Sequence, residues 1–224
     1  MKKLLLAITL CLSFICPSLA MSAGYGAETY GDALYGYGGT TYKVAITGNN
    51  GTYSYILVDA TGAYDYAVRV VGTGNTFENC TFYAPNGIAL KAEESCTITN
   101  NILEGNTQDI TITAAKTVTA KNNLLHHHAD ATDNIGDGTY TDTDSVYALD
   151  PLFWDLAGQN FRLTAPSPAR DAGFNTGADT DVAGIVTPQF GVHDIGAYEY
   201  SRRSSGPTTM GLGLSGYCPF REED

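Results

Sequence analysis

Positive charge is scarce in this chain: Lys and Arg total 12 against 24 Asp and Glu, a formal net charge of -12. Phosphate backbones are gripped by clustered Lys and Arg, so nucleic acid is excluded as a partner, and direct grip on an acidic polysaccharide is disfavoured. No long apolar run follows residue 16, so nothing downstream reads as a membrane span, which needs ~20 apolar residues. No window carries a 3.6-residue apolar period between caps, so helix is expected to be nearly absent. A Ser-His-Asp arrangement, a phosphate loop and a Cys-rich zinc pattern are missing as well. With 43% hydrophobic and 16% charged residues, the composition is nonetheless that of a chain with a core.

The first residues have an export pattern. Lys2 and Lys3 precede an apolar run from Leu4 to Cys16, and Pro17-Ser18-Leu19-Ala20 supplies a small-residue ending. Residues 1–20 are read as a signal peptide cleaved after Ala20, leaving no transmembrane anchor and an exported product, secreted or held at the cell surface, with the periplasm as the alternative. Three cysteines then remain, Cys80, Cys96 and Cys218. Complete intramolecular pairing of an odd number is impossible. Buried free thiols suit the inside of a repeat fold, and a Cys80–Cys96 bridge would need Cα atoms within ~7 Å. Residues 21–40 form a Tyr/Gly-rich lead-in with little to build a core from, and residues 201–224 read as a flexible tail.

Between these flanks a pattern returns about every 21 residues. Phe77-Glu78-Asn79-Cys80-Thr81-Phe82 recurs as Ile98-Thr99-Asn100-Asn101-Ile102-Leu103 and again as Ala120-Lys121-Asn122-Asn123-Leu124-Leu125. Val68/Val70, Ile88/Leu90 and Ile110/Ile112 run in step. Two strand-like segments per period mean an all-β solenoid: a short right-handed, single-stranded parallel β-helix of about four to five coils over residues 41–200. Coils stack ~4.8 Å apart, so like residues stack on like. Asn79, Asn100 and Asn122 are expected to form a ladder at a tight turn, each amide bonding its neighbour.

Three blocks close this region: Asp150-Pro151-Leu152-Phe153-Trp154-Asp155, then Phe161-Arg162-Leu163 with Pro166-Ser167-Pro168-Ala169-Arg170-Asp171-Ala172-Gly173, then Asp194-Ile195-Gly196-Ala197-Tyr198-Glu199-Tyr200. In that order they resemble the ending of secreted right-handed β-helix proteins of the pectate-lyase-like superfamily. The resemblance implies the fold and a C-terminal cap. It does not choose among the superfamily's polysaccharide lyases, hydrolases and adhesins. Phe153, Trp154, Phe161 and Leu163 are expected to cover the open end of the apolar column.

Chemistry-bearing residues are scattered. An elimination on uronates would need a Lys or Arg base, and Lys91 and Arg69 are close to one phase of the repeat, so they are expected to share a face. Glycoside hydrolysis would need two carboxylates, for which Asp59, Glu78 and Asp109 are available. His126-His127-His128 is the densest cluster. On a strand, His126 and His128 would share a face and could join Asp130, Asp133 and Asp137 around a cation, Ca²⁺ being the one cofactor such an acidic loop suits. An exposed polar loop is the alternative. The small coil number, unpaired carboxylates and acidity favour a non-catalytic module that contacts polysaccharide or a cell-surface component. A polysaccharide lyase or glycoside hydrolase is the alternative, and a structural or attachment role the third.

Overall fold

The computed structural model describes residues 41–201 except 107, 133, 134 and 178. The signal, the lead-in, Cys218 and the tail beyond Ser201 lie outside the described residues. The first coil runs through β1 (Tyr42–Ile46), β2 (Thr52–Ser54) and β3 (Leu57–Asp59). The second comprises β4 (Tyr66–Val70), β5 (Asn75–Glu78) and β6 (Thr81–Tyr83). The third comprises β7 (Ile88–Ala92), β8 (Cys96–Thr99) and β9 (Ile102–Glu104). The fourth has β10 (Ile110–Ile112), β11 (Thr117–Lys121) and β12 (Leu124–Leu125), and the fifth β13 (Thr139–Thr143) and β14 (Val146–Tyr147). An antiparallel pair follows, β15 (Phe153–Asp155) and β16 (Asn160–Leu163). No helix occurs among the described residues.

Like strands stack in parallel into three sheets. Sheet A is β1-β4-β7-β10, sheet B is β2-β5-β8-β11-β13, and sheet C is β3-β6-β9-β12-β14. A parallel β-helix of about five coils was expected and is found. Each period holds three strands rather than two, because single residues divide what reads as one long strand. Tyr55, Asn79, Asn100, Asn122 and Asp144 carry φ of 56°, 52°, 56°, 50° and 62°, one per coil between sheets B and C. Asn and Asp tolerate that left-handed region better than other side chains do, so the repeated Asn marks a bend.

The ladder at this bend is displaced by one residue from the expected one. Asn101 Oδ1 accepts from Cys80 N at 2.9 Å, and Asn123 Oδ1 accepts from Asn101 N at 2.8 Å and from Asn101 Nδ2 at 3.0 Å. Ser145 Oγ accepts from Asn123 N at 3.0 Å and continues the column. Of the expected contacts, Asn100 Nδ2 donates to Asn79 Oδ1 at 2.9 Å. Asn122 donates to Ala172 O instead.

Apolar columns fill the inside: Val68–Leu90–Ile110 from sheet A, Tyr53–Phe77–Ile98–Ala120 from sheet B, Val58–Phe82–Leu103–Leu125–Tyr147 from sheet C. Tyr53 and Phe77 stack with ring centroids 5.2 Å apart. Cys80 and Cys96 are buried free thiols, as expected, and burial pushes both up to about 12.

The C-terminal segment lies along the side of the solenoid, which corrects the expected end cap. Phe153, Phe161, Leu163, Ala169, Ile195 and Ala197 pack against Leu57, Ile102 and Leu124 on the outer face of sheet C, and Trp154 is 55% exposed. Outward positions of sheet C are apolar enough to need this cover. Asn100 clamps the segment, accepting from Phe174 N at 2.7 Å and donating to Phe174 O. Gly196 has φ +103°, and a Cβ there would meet Ile102 Cδ1 at 2.6 Å, so only glycine lets Ile195-Gly196-Ala197 sit down on the sheet. Carboxylates stand in for regular structure here. Asp181 Oδ1 accepts from Ala183 N and Ile185 N, Asp194 from Asp171 N and Tyr200 N, and Glu199 from Gln189 N.

The inner ladder is expected to dominate stability at the bend. Asn101→Ala leaves Cys80 N without its acceptor and removes two donated bonds, to Phe77 O and Asn123 Oδ1. A loss of about 2–4 kcal/mol follows, whereas Asn122→Ala, which gives up one long bond of 3.2 Å and puts Ala at φ 50°, costs about 1–2 kcal/mol. Urea unfolding of the two variants checks the order.

Candidate functional site

The residue just after each inward apolar residue of sheet C points outward. Asp59, Tyr83 and Glu104 therefore stack in register, and His126 follows Leu125 one coil further on. Three of the four are ionisable at ordinary pH. Tyr83 is steadied by Phe161 of the lateral layer, ring centroids 5.2 Å apart. Asp59 Oδ1 is occupied by Thr61 N at 2.9 Å and by the Thr61 hydroxyl.

Glu104 differs from the other carboxylates. It is 7% exposed, and its Oε2 is buried with no hydrogen-bond partner. Its Oε1 lies 3.5 Å from His126 Nδ1, which is also buried and unbonded. Burial, with Asp150 and Asp109 nearby, pushes the Glu104 carboxyl up to about 8. Burial and the neighbouring His127 lower His126 below its usual value. The pair is therefore uncharged near neutral pH.

β12 ends at Leu125 and a turn begins, so strand alternation does not govern the three histidines. His126 and His127 are the neighbours, ring centroids 4.2 Å apart, which corrects the expected His126/His128 pairing. His128 turns inward, 1% exposed, and its Nε2 accepts from Asp109 N at 3.0 Å. Asp109 is fully buried and accepts from Gly105 N at 2.8 Å and from His127 N at 2.6 Å, with His127 Nδ1 3.2 Å away. It ties the His turn to the β9–β10 connection. Asp130 Oδ1 takes Thr132 N and its hydroxyl, Asp137 is exposed, and Asp133 lies outside the described residues. Among the described residues no three His, Cys, Asp or Glu side chains converge as a metal site requires.

The outer face of sheet A carries the other candidates. Arg69 and Lys91 are register partners, so they share a face as expected. Arg69 is committed, donating from Nε at 3.0 Å and from a terminal nitrogen at 2.8 Å to the two Glu93 oxygens. Its guanidinium also lies 5.3 Å from the Tyr42 ring. Where the chain turns from sheet C back to sheet A, Gly62, Ala63, Tyr64, Asp65 and Asn86 line an open hollow of about 370 Å³. Lys43 Nζ is 5.4 Å from the Tyr64 ring centroid. Asn86 Nδ2 donates to Gly62 O at 2.9 Å, and Asp65 Oδ2 accepts from the Thr41 hydroxyl at 3.1 Å.

Glu104 and Asp150 carry no motif that singles them out, and His127 was visible only as the middle of the His run. The available signal was positional: each follows or flanks the end of a sheet C strand, where the coil's outward residues gather. The Tyr64 hollow had no sequence signal, since it is made by two successive turns.

A family model described as right handed beta helix region matches residues 33–147, just over half of the chain. The chain belongs to that family. The match ends before the closing blocks that begin at Asp150. No curated protein and no solved structure matches the chain.

Glu104, Glu199 and Asp194 are pushed up by burial to about 8, 7 and 6. A raised carboxyl binds its proton more tightly in the folded chain. The stability it lends is therefore complete below its unfolded value and lost as pH rises through the folded one. His126 and His193, lowered by burial, act oppositely and weaken the fold below the usual histidine value of 6.5. The thermal midpoint is expected to fall from pH 6.5 to pH 9, windows set by these shifts. Glu104→Gln should flatten the upper part of that fall.

Proposed function

We propose that this chain is an exported β-helix module that binds carbohydrate on a polymer or cell surface without cleaving it. The observation that carries this reading is the hollow at Tyr64. Its size falls within the range of ligand sites, roughly 300–1,000 Å³. It combines one aromatic ring with Asp65 and Asn86, whose Oδ1 atoms make no bond among the described residues. A sugar ring stacks its C–H face on an aromatic face and gives its hydroxyls to such acceptors. Gly62 keeps the rim low: a Cβ there would come within 3.2 Å of the Tyr64 ring.

Three further features support the reading. Three of the four residues proposed for catalysis from sequence are already engaged: Arg69 by Glu93, Asp59 by Thr61, and Asp109 by Gly105 and His127. Lys91 has a committed arginine beside it and no carboxylate paired with it among the described residues. Sheet B leaves a second, uncovered contact face, with Thr52, Thr76, Thr97, Thr119 and Thr141 in one register column. The resemblance to secreted superfamily members and the signal-like first residues support export to where extracellular glycans are.

A glycan array probed with the full exported chain tests this. Binding to at least one neutral glycan is expected, and Tyr64→Ala should weaken it by roughly tenfold or more, the loss of one stacked ring. Because the ring also packs against the core, the thermal midpoint should fall modestly while the variant stays folded, and Tyr64→Phe should keep both stability and binding. An array blank for both proteins, or unchanged binding by Tyr64→Ala, would remove the hollow as the site.

A further inference from the structure

Buried polar atoms are almost always bonded, so an unbonded one calls for a reason. Glu104 Oε2 and His126 Nδ1 are two such atoms on adjacent coils of one column. Every other buried carboxylate described above is satisfied: Asp109 by Gly105 and His127, Asp181 by three backbone N–H groups, Asp194 and Glu199 by the lateral layer. Glu104 alone has an oxygen facing the His turn and nothing donating to it.

Both orphan atoms can accept. A neutral imidazole whose proton sits on Nε2 accepts at Nδ1, and the Glu104 carboxyl becomes acceptor-only once the proton it holds near neutral pH is displaced. Asp150 adds charge of the same sign, close enough to act on both Glu104 and His126. No Lys or Arg is paired with Glu104, Asp150 or Asp109 among the described residues. A positively charged group that carries several N–H donors fits both atoms once it displaces the Glu104 proton. A metal ion would need a third convergent ligand, which is not there. An acid–base pair would need a second free carboxyl, but Asp109 is fully engaged and Asp150 Oδ1 accepts from Leu152 N at 2.7 Å.

We propose that Glu104 Oε2 and His126 Nδ1, with the Asp150 charge nearby, form a recognition site for a primary ammonium group brought by an external ligand. An –NH₃⁺ has a donor for each of these two acceptors and a third left for water. Resting on the carbohydrate reading above, the ammonium is that of a de-N-acetylated hexosamine in a glycan chain. The same chemistry could come from a lysine side chain. His126 lies on the solvent side of the pair, its side chain 27% exposed against 9% for Glu104. Entry of the cation makes the ionised form of Glu104 the favoured one, so binding releases a proton near neutral pH.

Calorimetry of the full exported chain tests this with three probes at physiological salt: oligomers of glucosamine, the same oligomers fully N-acetylated, and oligolysine of equal charge. The glucosamine oligomer is expected to bind roughly tenfold more tightly than its acetylated form. Glu104→Gln should abolish that preference while leaving Tyr64-dependent binding of neutral glycans intact. His126→Ala, which uncovers Glu104, should lower the preference without removing it. Heats in two buffers of different ionisation enthalpy should show proton release with the wild type and none with Glu104→Gln. Equal affinity for both oligomers, or a preference that survives Glu104→Gln, overturns the site. Tighter binding of oligolysine than of glucosamine, abolished by Glu104→Gln, keeps the ammonium site but moves its source to protein. Loss of all neutral-glycan binding with the ammonium preference intact would fail the hollow and not this site.

Discussion

Every coil of this molecule must bend between sheets B and C within a single residue, and that bend turns the next backbone N–H into the interior. An unsatisfied buried N–H costs about 1–3 kcal/mol, so five successive bends without partners would exceed the margin by which a domain of this size is stable. The side chain one coil above supplies the partner: Asn101 for Cys80, Asn123 for Asn101, Ser145 for Asn123. These bonds run along the solenoid axis, so they fix which residue of one coil lies over which residue of the next. Parallel strands alone permit slippage by two residues with little change of face. The ladder forbids it, and the remaining columns inherit its register.

Register, once fixed, divides the surface into three faces of different chemistry. Sheet A displays Arg69 and Lys91 in one column with Tyr42 and Tyr64 nearby. Sheet B displays a column of five threonines, whose hydroxyls hydrate well and whose methyls offer little apolar area. Sheet C displays Leu57, Ile102 and Leu124, and covering these with the C-terminal segment removes them from water. Burying each such side chain is worth about 1.5–3 kcal/mol, which offsets the ordering of a segment that has little regular structure. The segment's backbone is satisfied by carboxylates instead of by strands. That arrangement places acidic groups in a poorly hydrated layer, and their raised affinity for protons follows directly.

The solenoid was legible because apolar positions repeat in phase with the Asn positions, and stacking makes sequence period and spatial period the same thing. The bend was legible as a signal but misread as a ladder: in Asn100-Asn101 the first residue has the positive φ and the second bonds inward, and adjacent identical letters conceal which does which. Strand number per coil was hidden for the same reason, since a one-residue bend leaves no gap in a run such as Phe77 to Phe82. The position of the closing blocks was not legible, because Phe153, Phe161 and Leu163 suit an open solenoid end and an apolar lateral face equally well. The histidines were misplaced by extending strand alternation one residue past the end of β12. Glu104 could not be found from residue type, as its importance lies in what fails to reach it.

That last point bears on how an acidic chain tolerates buried carboxylates at all. Desolvating a carboxylate costs several kcal/mol unless bonds or charges replace the water. Asp109 meets the cost with two backbone N–H groups and a nearby imidazole, and Asp181 with three backbone N–H groups. Glu104 meets it by holding a proton, a solution that leaves one oxygen idle and the neighbouring imidazole nitrogen unbonded. An apolar residue at position 104 would lie beside Tyr83 and the His turn with no such penalty. A carboxyl kept there at a standing cost, beside an acceptor kept idle as well, is the arrangement expected of groups that acquire their partner from outside the chain.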